Sequence, residues 1–344
     1  MHRCLQLAVL GAGNTAPNPM VGAVLVHGGA VIGEGYHQKY GEAHAEVNCI
    51  NNVAEENKHL ISQSTLYVSL EPCAHFGKTP PCADLIIHNK IPRVVIGCRD
   101  SYKEVNGQGI AKLSAAGIEV IDGVLENEAR EINKRFFTFH EKQRPYIILK
   151  WAQSNNHKIA RAGFSRVTIS NEYTNRLVHK WRSNEAGIMI GTNTALHDNP
   201  LLTNRLWNGN SPVRIVIDKD LRVPLSHHLL SDGNKTIIFN SIKDENAGPV
   251  AYRKIGGSHL FLHHVLQHLH QMKIGSVLVE GGAKLLQSFV DSNTWDEARV
   301  ITNRDLSIED GIAAPGLNNS LLAKQEAVFS DTIYYYNNKS NNGQ

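Results

Sequence analysis

The sequence predicts two α/β units that meet near residue 143, and three observations carry that expectation. At 344 residues the chain is longer than one ordinary domain. Short, apolar, β-branched runs alternate with helical patterns through both halves. Between the halves, 141-EKQRP-145 is polar and ends in proline, the composition of a linker. The bounds that follow are 1–143 and 144–336, with 337-NNKSNNGQ-344 as a polar tail expected to fray.

In the first unit, Leu5, Ala8 and Val9 share one face of an opening helix. Residues 21–26 and 30–37 flank 27-HGG-29, which reads as a hairpin. A helix from about Ala43 to Val53 precedes the strand 65-TLYVSL-70. After a loop come a helix from about Ala83, the strand 93-RVVIG-97, a helix near 109–117 and the short strand 118-IEVI-121. A single helix is expected from Glu126 to about His140. The second unit opens with 146-YIILKWA-152 and continues through 187-GIMIG-191, 213-VRIVID-218, 236-TIIF-239 and 276-SVLVE-280. Runs this apolar suit central, mostly parallel strands covered on both faces.

Composition excludes several classes. Hydrophobic residues make up 42% of the chain, yet no apolar run approaches the roughly 20 residues of a membrane span. The start carries a single Arg3, and Gln6 interrupts its apolar stretch, so it reads as a helix rather than a secretion signal, and a cytoplasmic protein is expected. Five cysteines are an odd number and too few for a disulfide framework, which leaves metal binding or catalysis. Cys4, Cys49 and Cys98 read as core thiols. A net charge of +3 is too weak for a nucleic-acid surface but suits a phosphorylated small molecule. His263, His264, His268 and His270 interleave with leucines at helical spacing, and the bland reading, a solvated helix face, is preferred to a metal site.

The chemistry concentrates in 44-HAE-46 and 71-EPCAHFGKTPPC-82. Zinc takes His nitrogen and Cys sulfur, and a catalytic zinc keeps one position open for water. His44, Cys73 and Cys82 supply three ligands. Glu46 is too close in sequence to be an efficient fourth and is well placed to move protons. Hydrolytic deamination needs this set: an acidified water and a non-ligand carboxylate that carries its proton to the ring nitrogen and the leaving amine. Pro72 is expected to present Cys73 at a helix start, where the dipole favours thiolate. In the second unit no GxGxxG pattern occurs. Gly281 and Gly282, between strand 276–280 and helix 283–290, suggest a phosphate at a helix N-terminus.

These motifs, with 17-PNPMVGAVLV-26, resemble the bifunctional deaminase–reductases of riboflavin biosynthesis from about residue 3 to 330. Ordinary cytidine and nucleic-acid deaminases space the two cysteines as CxxC; the longer insert with His75, Gly77, Lys78 and Thr79 points to the riboflavin branch. The resemblance implies a cytidine-deaminase-like α/β/α layer followed by a dihydrofolate-reductase-like α/β domain. It also implies one zinc per chain, NADPH, and a ribosylaminopyrimidine phosphate substrate near Asn18 and Lys78. In the second half it rests on 182-RSNEAGIMIGTNTALHDNPLLTNR-205, 212-PVRIVID-218, 279-VEGGAKLL-286 and 295-WDE-297. Carried over residue by residue, Ala152, Val167, Thr194 and Asp198 would contact NADPH. Gly282, Ala283, Lys284, Leu285, Leu286, Gln287 and Ser288 would hold its phosphate end. Ser165, Arg182, Leu202, Arg205 and Glu280 would surround the substrate, the arginines through their two-pronged guanidinium forks. Pairing of two chains through the reductase sheet would also fit.

Two departures stand out. The family pattern S-x-DG is replaced by Ser154, Asn155, Asn156 and His157, and Val167 stands where the family has tryptophan. They leave open altered cofactor contacts, neutral drift, or a deaminase whose reductase half is degenerate. A nucleic-acid deaminase with an appended domain is disfavoured by the low basicity and the lack of basic, aromatic-rich stretches.

Overall fold

The computed structural model describes residues 1–76, 80–101, 106–164, 167–256 and 261–341. Its contacts divide the chain into two compact units, Met1–Gln143 and Arg144–Gln344.

The first unit holds a sheet of β1 (Gly22–His27), β2 (Ala30–Tyr36), β3 (Thr65–Leu70), β4 (Arg93–Cys98) and β5 (Glu119–Ile121), in the order β2-β1-β3-β4-β5. The hairpin half is antiparallel, and β3, β4 and β5 run parallel. Helices α1 (His2–Ala8), α2 (Ala45–Asn51), α3 (Cys82–His88) and α4 (Gln108–Ala115) accompany it. The main core joins Leu25, Leu66, Val68, Ile96 and Leu113 with Cys49 and Ile50 of α2 and Ile86 of α3. Cys4, Cys49 and Cys98 are fully buried. Helix α2 lies close on β2: a Cβ at Gly35 would stand 2.2 Å from the Cys49 backbone nitrogen.

The single helix expected over 126–140 is two, α5 (Glu126–Ile132) and α6 (Lys134–Glu141). Asn133 breaks it. Its side chain accepts from Met20 N and donates to Met20 O, both at 2.8 Å, and so ties this point to the segment after Asn18.

The second unit is built on β6 (Tyr146–Ser154), β7 (Lys158–Arg161), β8 (Gly187–Gly191), β9 (Val213–Ile217), β10 (Thr236–Asn240), β11 (Glu245–Ala247), β12 (Val250–Lys254), β13 (Ser276–Val279), β14 (Glu297–Asn303), β15 (Gly311–Ala313), β16 (Ser320–Val328) and β17 (Asp331–Asn338). The large sheet runs β11-β12-β10-β9-β8-β13-β6-β14-β17-β16; β7 and β15 form a separate ribbon. From β12 to β14 every neighbouring pair is parallel, whereas β11, β17 and β16 pair antiparallel at the two ends. The expectation of central parallel strands holds for the middle of the sheet. Five helices are described: α7 (Glu172–Asn184), α8 (Thr192–Asp198), α9 (His228–Ser231), α10 (Phe261–Gln271) and α11 (Ala283–Asp291). In α10, Val265, Leu266 and Leu269 are buried and His263 is exposed, whereas His264, His268 and His270 are half-buried, so the expected solvated histidine face is only partly exposed.

The proposed linker is absorbed from both sides. Glu141 closes α6 and pairs with Arg130, while the Arg144 fork meets Asp296 at 2.5 and 2.8 Å. The tail expected to fray from 337 does not begin there. Asn337 and Asn338 complete β17, and buried Asn338 donates to Asn293 Oδ1 and Trp295 O. Among the described residues no helix is long and apolar enough to cross a membrane.

Candidate active site

His44 stands at the N-cap of α2, which places Glu46 in the first turn of that helix. Cys73 lies in the irregular stretch after β3, and Cys82 is the first residue of α3. The helix start expected for Cys73 therefore belongs to Cys82. Cys73 nonetheless reaches the same helix N-terminus, because its Sγ accepts the Cys82 N–H at 3.3 Å. His44 Nδ1 is 3.3 Å from Cys82 Sγ and 3.7 Å from Cys73 Sγ.

Around a tetrahedral zinc, sulfur at about 2.3 Å and nitrogen at about 2.0 Å stand about 3.5 Å apart, so the observed spacing fits that ion. Among the described residues this is the one His, Cys, Asp or Glu cluster able to hold a metal. The hydrogen bond between the two sulfurs drives the Cys73 thiol down to about 4 and pushes Cys82 well above its usual value. Burial raises the carboxyl of Glu46, which is 3% exposed, although the nearby His44 charge works against this.

Two surrounding residues escaped sequence reasoning. His37, buried at the end of the hairpin, presents its ring edge-on to His44 at 5.4 Å, accepts from Asn18 Nδ2 through Nε2 across 3.4 Å, and donates to Ala43 O through Nδ1. It thereby links Asn18 to His44 of the His–Cys cluster. Glu71, also buried, accepts backbone N–H groups of Asp100, Gly107, Gly109 and Ile110 at 3.0–3.2 Å, anchoring the EPC turn to the start of α4. Gly77, Lys78 and Thr79 of the insert, and Ser165 of the second unit, lie outside the described residues.

In the second unit, β6, β8 and β13 are adjacent and parallel, so their carboxyl ends lie side by side at one edge of the sheet. Glu280 follows β13 and receives the Arg182 fork, Nε to Oε1 and Nη2 to Oε2, both at 2.8 Å. Lys150 of β6 approaches the same carboxylate at 3.8 Å. Burial pushes Glu280 up, but the Arg182 and Lys150 charges outweigh it and hold the carboxyl at about 2. Burial pulls the Lys150 ammonium down. The fork that sequence reasoning offered to a phosphate is thus engaged with Glu280, with Arg182 Nη1 donating to Thr203 O. Arg205 is exposed, and its Nη1 donates to Thr203 Oγ1. Lys150 was missed, although a lysine inside 146-YIILKWA-152 is itself a signal.

Thr194 of α8 packs on the glycine turn before α11. A Cβ at Gly281 would meet its Oγ1 at 3.0 Å, and Gly282 has φ +75°. Thr194 and the Gly281–Gly282 turn thus lie together, with Leu285 of α11 beside Gly191 at the start of α8. Asp198 is exposed at the end of α8, Ala152 is half-buried in β6, and Val167 is half-buried in an irregular segment. The Leu202 side chain packs in the core with Ile188, Ile190 and Val216, and its backbone is left-handed at φ +54°.

The departure at 154–157 has a structural account. Asn156 Oδ1 accepts from Ser154 Oγ at 2.6 Å and Ile308 N at 3.2 Å, contacts an aspartate could make. His157 takes a left-handed conformation at φ +59°, where the family has glycine, and its ring engages Gln153 at 2.9 Å.

Comparison with known proteins bears on both units. The model of the cytidine and deoxycytidylate deaminase zinc-binding region matches residues 1–98, and that of the RibD C-terminal domain matches 145–303. The riboflavin biosynthesis protein RibD of Aquifex aeolicus is 38% identical over 338 residues, 95% of this chain and 94% of that protein. The Bacillus amyloliquefaciens protein of the same description is 40% identical over 306 residues, 86% and 81% of the two chains. A Thermotoga maritima crystal structure, described as a diaminohydroxyphosphoribosylaminopyrimidine deaminase/5-amino-6-(5-phosphoribosylamino)uracil reductase, superposes with a TM-score of 0.88 at 34% identity and covers 98% and 97% of the two chains.

Fold and site together define a zinc-binding deaminase unit joined to a reductase unit. The chain belongs to the RibD family and is a bifunctional deaminase–reductase of riboflavin biosynthesis. A deaminase with a degenerate second half is not favoured.

Proposed function

We propose that the first unit hydrolytically deaminates 2,5-diamino-6-(5-phosphoribosylamino)pyrimidin-4-one and that the second reduces the ribosyl group of the product to a ribityl chain with NADPH. The observation that carries this reading is the convergence of His44, Cys73 and Cys82 on one point beside the buried Glu46. In this reading His44, Cys73 and Cys82 hold one zinc, which when bound acidifies water for attack on the ring carbon bearing the amine. Glu46 takes the water's proton and delivers it to the ring nitrogen, then takes the remaining hydroxyl proton and passes it to the departing amine. Its burial favours the protonated carboxyl and so suits the donor half of that cycle. Asn18, held beside His37, contacts the pyrimidine.

In the second unit Thr194, Asp198, Ala152, Val167 and the turn from Gly282 to Ser288 bind NADPH. The helix α11 N-terminus meets its phosphate end. Arg205 reaches the substrate phosphate, while Arg182, Glu280 and the Leu202 backbone line the ribosyl group. Reduction needs no strongly acidic side chain; it depends on holding the nicotinamide carbon against the sugar carbon. The ligand is a phosphorylated small molecule rather than a nucleic acid, the setting is cytoplasmic, and pairing of two copies through the reductase unit fits the reading.

The test is turnover of the ribosylaminopyrimidine phosphate with and without NADPH, following ammonia and nicotinamide absorbance, in the parent and in Glu46→Gln. Glutamine keeps size and cannot carry the proton. Ammonia release should fall by at least roughly 10²–10⁴-fold with zinc retained and reduction of the deaminated compound nearly unchanged. Deamination at the parent rate would sink the assignment of Glu46.

A further inference from the structure

His179 lies on the buried side of α7, 4% exposed, one turn before Arg182. Its Nδ1 accepts the backbone N–H of Arg205 at 2.8 Å and, less directly, that of Leu206 at 3.4 Å. An imidazole that accepts through Nδ1 is neutral and carries its proton on Nε2. One turn further along the helix, Arg182 Nη1 donates to Thr203 O. Two α7 side chains thus grip the backbone of 203–206 from one side: a lone pair takes up amide hydrogens, and a guanidinium takes up a carbonyl. The helix they stand on is itself fixed, through buried Val178 and Trp181 and through the Arg182–Glu280 fork. Arg205 leaves the loop at this grip, and its exposed guanidinium steadies itself on Thr203 Oγ1.

We propose that His179 is a positioning residue for reduction, its neutral imidazole setting the Arg205 backbone so that the guanidinium meets the substrate's phosphate. The inference rests on the reading of Arg205 as a phosphate contact. The surroundings keep the ring uncharged. Burial comes first, then the positive charges of Arg182 and Arg205; with Glu280 and Asn204 opposing them, the imidazole is pulled down to about 4. A protonated ring would turn an N–H toward two N–H donors and release the loop. Nothing in this role touches the reacting atoms, so its signature is in KM rather than kcat.

The experiment measures reduction of the deaminated ribosyl phosphate, and of its dephosphorylated counterpart, by the full chain carrying His179→Leu, His179→Asn or Arg205→Ala. Asparagine Oδ1 stands near the position of Nδ1 and can accept the same amides; leucine cannot. His179→Leu should raise KM for the phosphorylated compound by roughly 10-fold, the effect of losing one well-made hydrogen bond. The kcat should stay within about 3-fold, and KM for the dephosphorylated compound should hardly move. His179→Asn should restore KM. Hydrogen exchange at the Arg205 amide should quicken in the leucine variant and not in the asparagine variant, and unchanged NADPH affinity would show that the unit is folded. If Arg205→Ala raises KM while His179→Leu does not, or if asparagine is as impaired as leucine, the positioning role is wrong. If Arg205→Ala leaves KM unchanged, the phosphate reading fails and takes this inference with it.

Discussion

At the scale of single residues, the deaminase site is a set of backbone constraints that bring His44, Cys73 and Cys82 to one point. His44 comes from a helix N-cap, Cys82 from the first position of α3, and Cys73 from a turn whose neighbour Glu71 is tied down by four amides. One of these constraints is the approach of α2 to β2. At Gly35 an added Cβ would lie 2.2 Å from Cys49 N and 2.6 Å from Ala45 O, both backbone atoms that cannot yield separately. Gly35→Ala should therefore push α2 off the sheet and carry His44 and Glu46 with it. The expected cost is about 1–3 kcal/mol of stability in the first unit, together with weaker zinc retention. Calorimetry and metal analysis on the purified variant check both, and unaltered zinc content with unaltered melting would contradict this account of the packing. His157 shows the opposite case: a residue in a glycine-like conformation, held by Gln153 and by Ala314 N donating to its carbonyl.

At the scale of elements, the second unit ties its strands to its loops with buried ion pairs. Arg214 of β9 is almost fully buried, and its fork meets Asp232 at 2.7 Å on both prongs. The same guanidinium donates to Leu201 O, Leu229 O and Asn234 O, so it fastens α9 and the segment before Leu202 to the sheet. The hydrogen bonds from Arg214 hold the Asp232 carboxyl well below its ordinary 3.8. A depressed carboxylate contributes stability above its unfolded pKa and loses it as pH falls toward the folded one. Asp232→Asn should cost about 2–4 kcal/mol at pH 7, because a buried guanidinium loses its counter-charge. The gap between parent and variant should close as pH drops below about 3.8. Thermal melts at several pH values measure it, and a gap that widens on acidification would reverse the assignment.

At the scale of the whole molecule, the two chemistries occupy separate compact units, each with its own sheet and core. Removing the metal should therefore act on one activity alone. Stripping zinc with a chelator, or replacing both Cys73 and Cys82 with serine, should abolish ammonia release and leave reduction of the deaminated compound within about 3-fold. Zinc analysis alongside both assays checks this; a double variant that keeps its zinc would remove His44, Cys73 and Cys82 as the ligand set.

Much of this was legible in the sequence, because the features concerned are local. Apolar runs such as 187-GIMIG-191 mark buried parallel strands through composition alone, and the HAE and EPC spacing announces metal chemistry through residue type. Hidden from it were features set by partners distant in the chain. The break at Asn133 exists because its side chain bonds to Met20, 113 residues away. Strands β16 and β17 pair through tyrosines and polar residues, without the apolar run that signals a central strand. Arg182 looked like a phosphate fork until Glu280, 98 residues on, took both prongs. The sequence by itself determined the two α/β units and the histidine, cysteines and carboxylate that gather at the candidate site, since periodicity and side-chain chemistry are properties of a short stretch. Only the tertiary structure decided which charges meet, which helix end receives Cys73, and how His179 holds the Arg205 loop, since distances across a fold come from packing the whole chain.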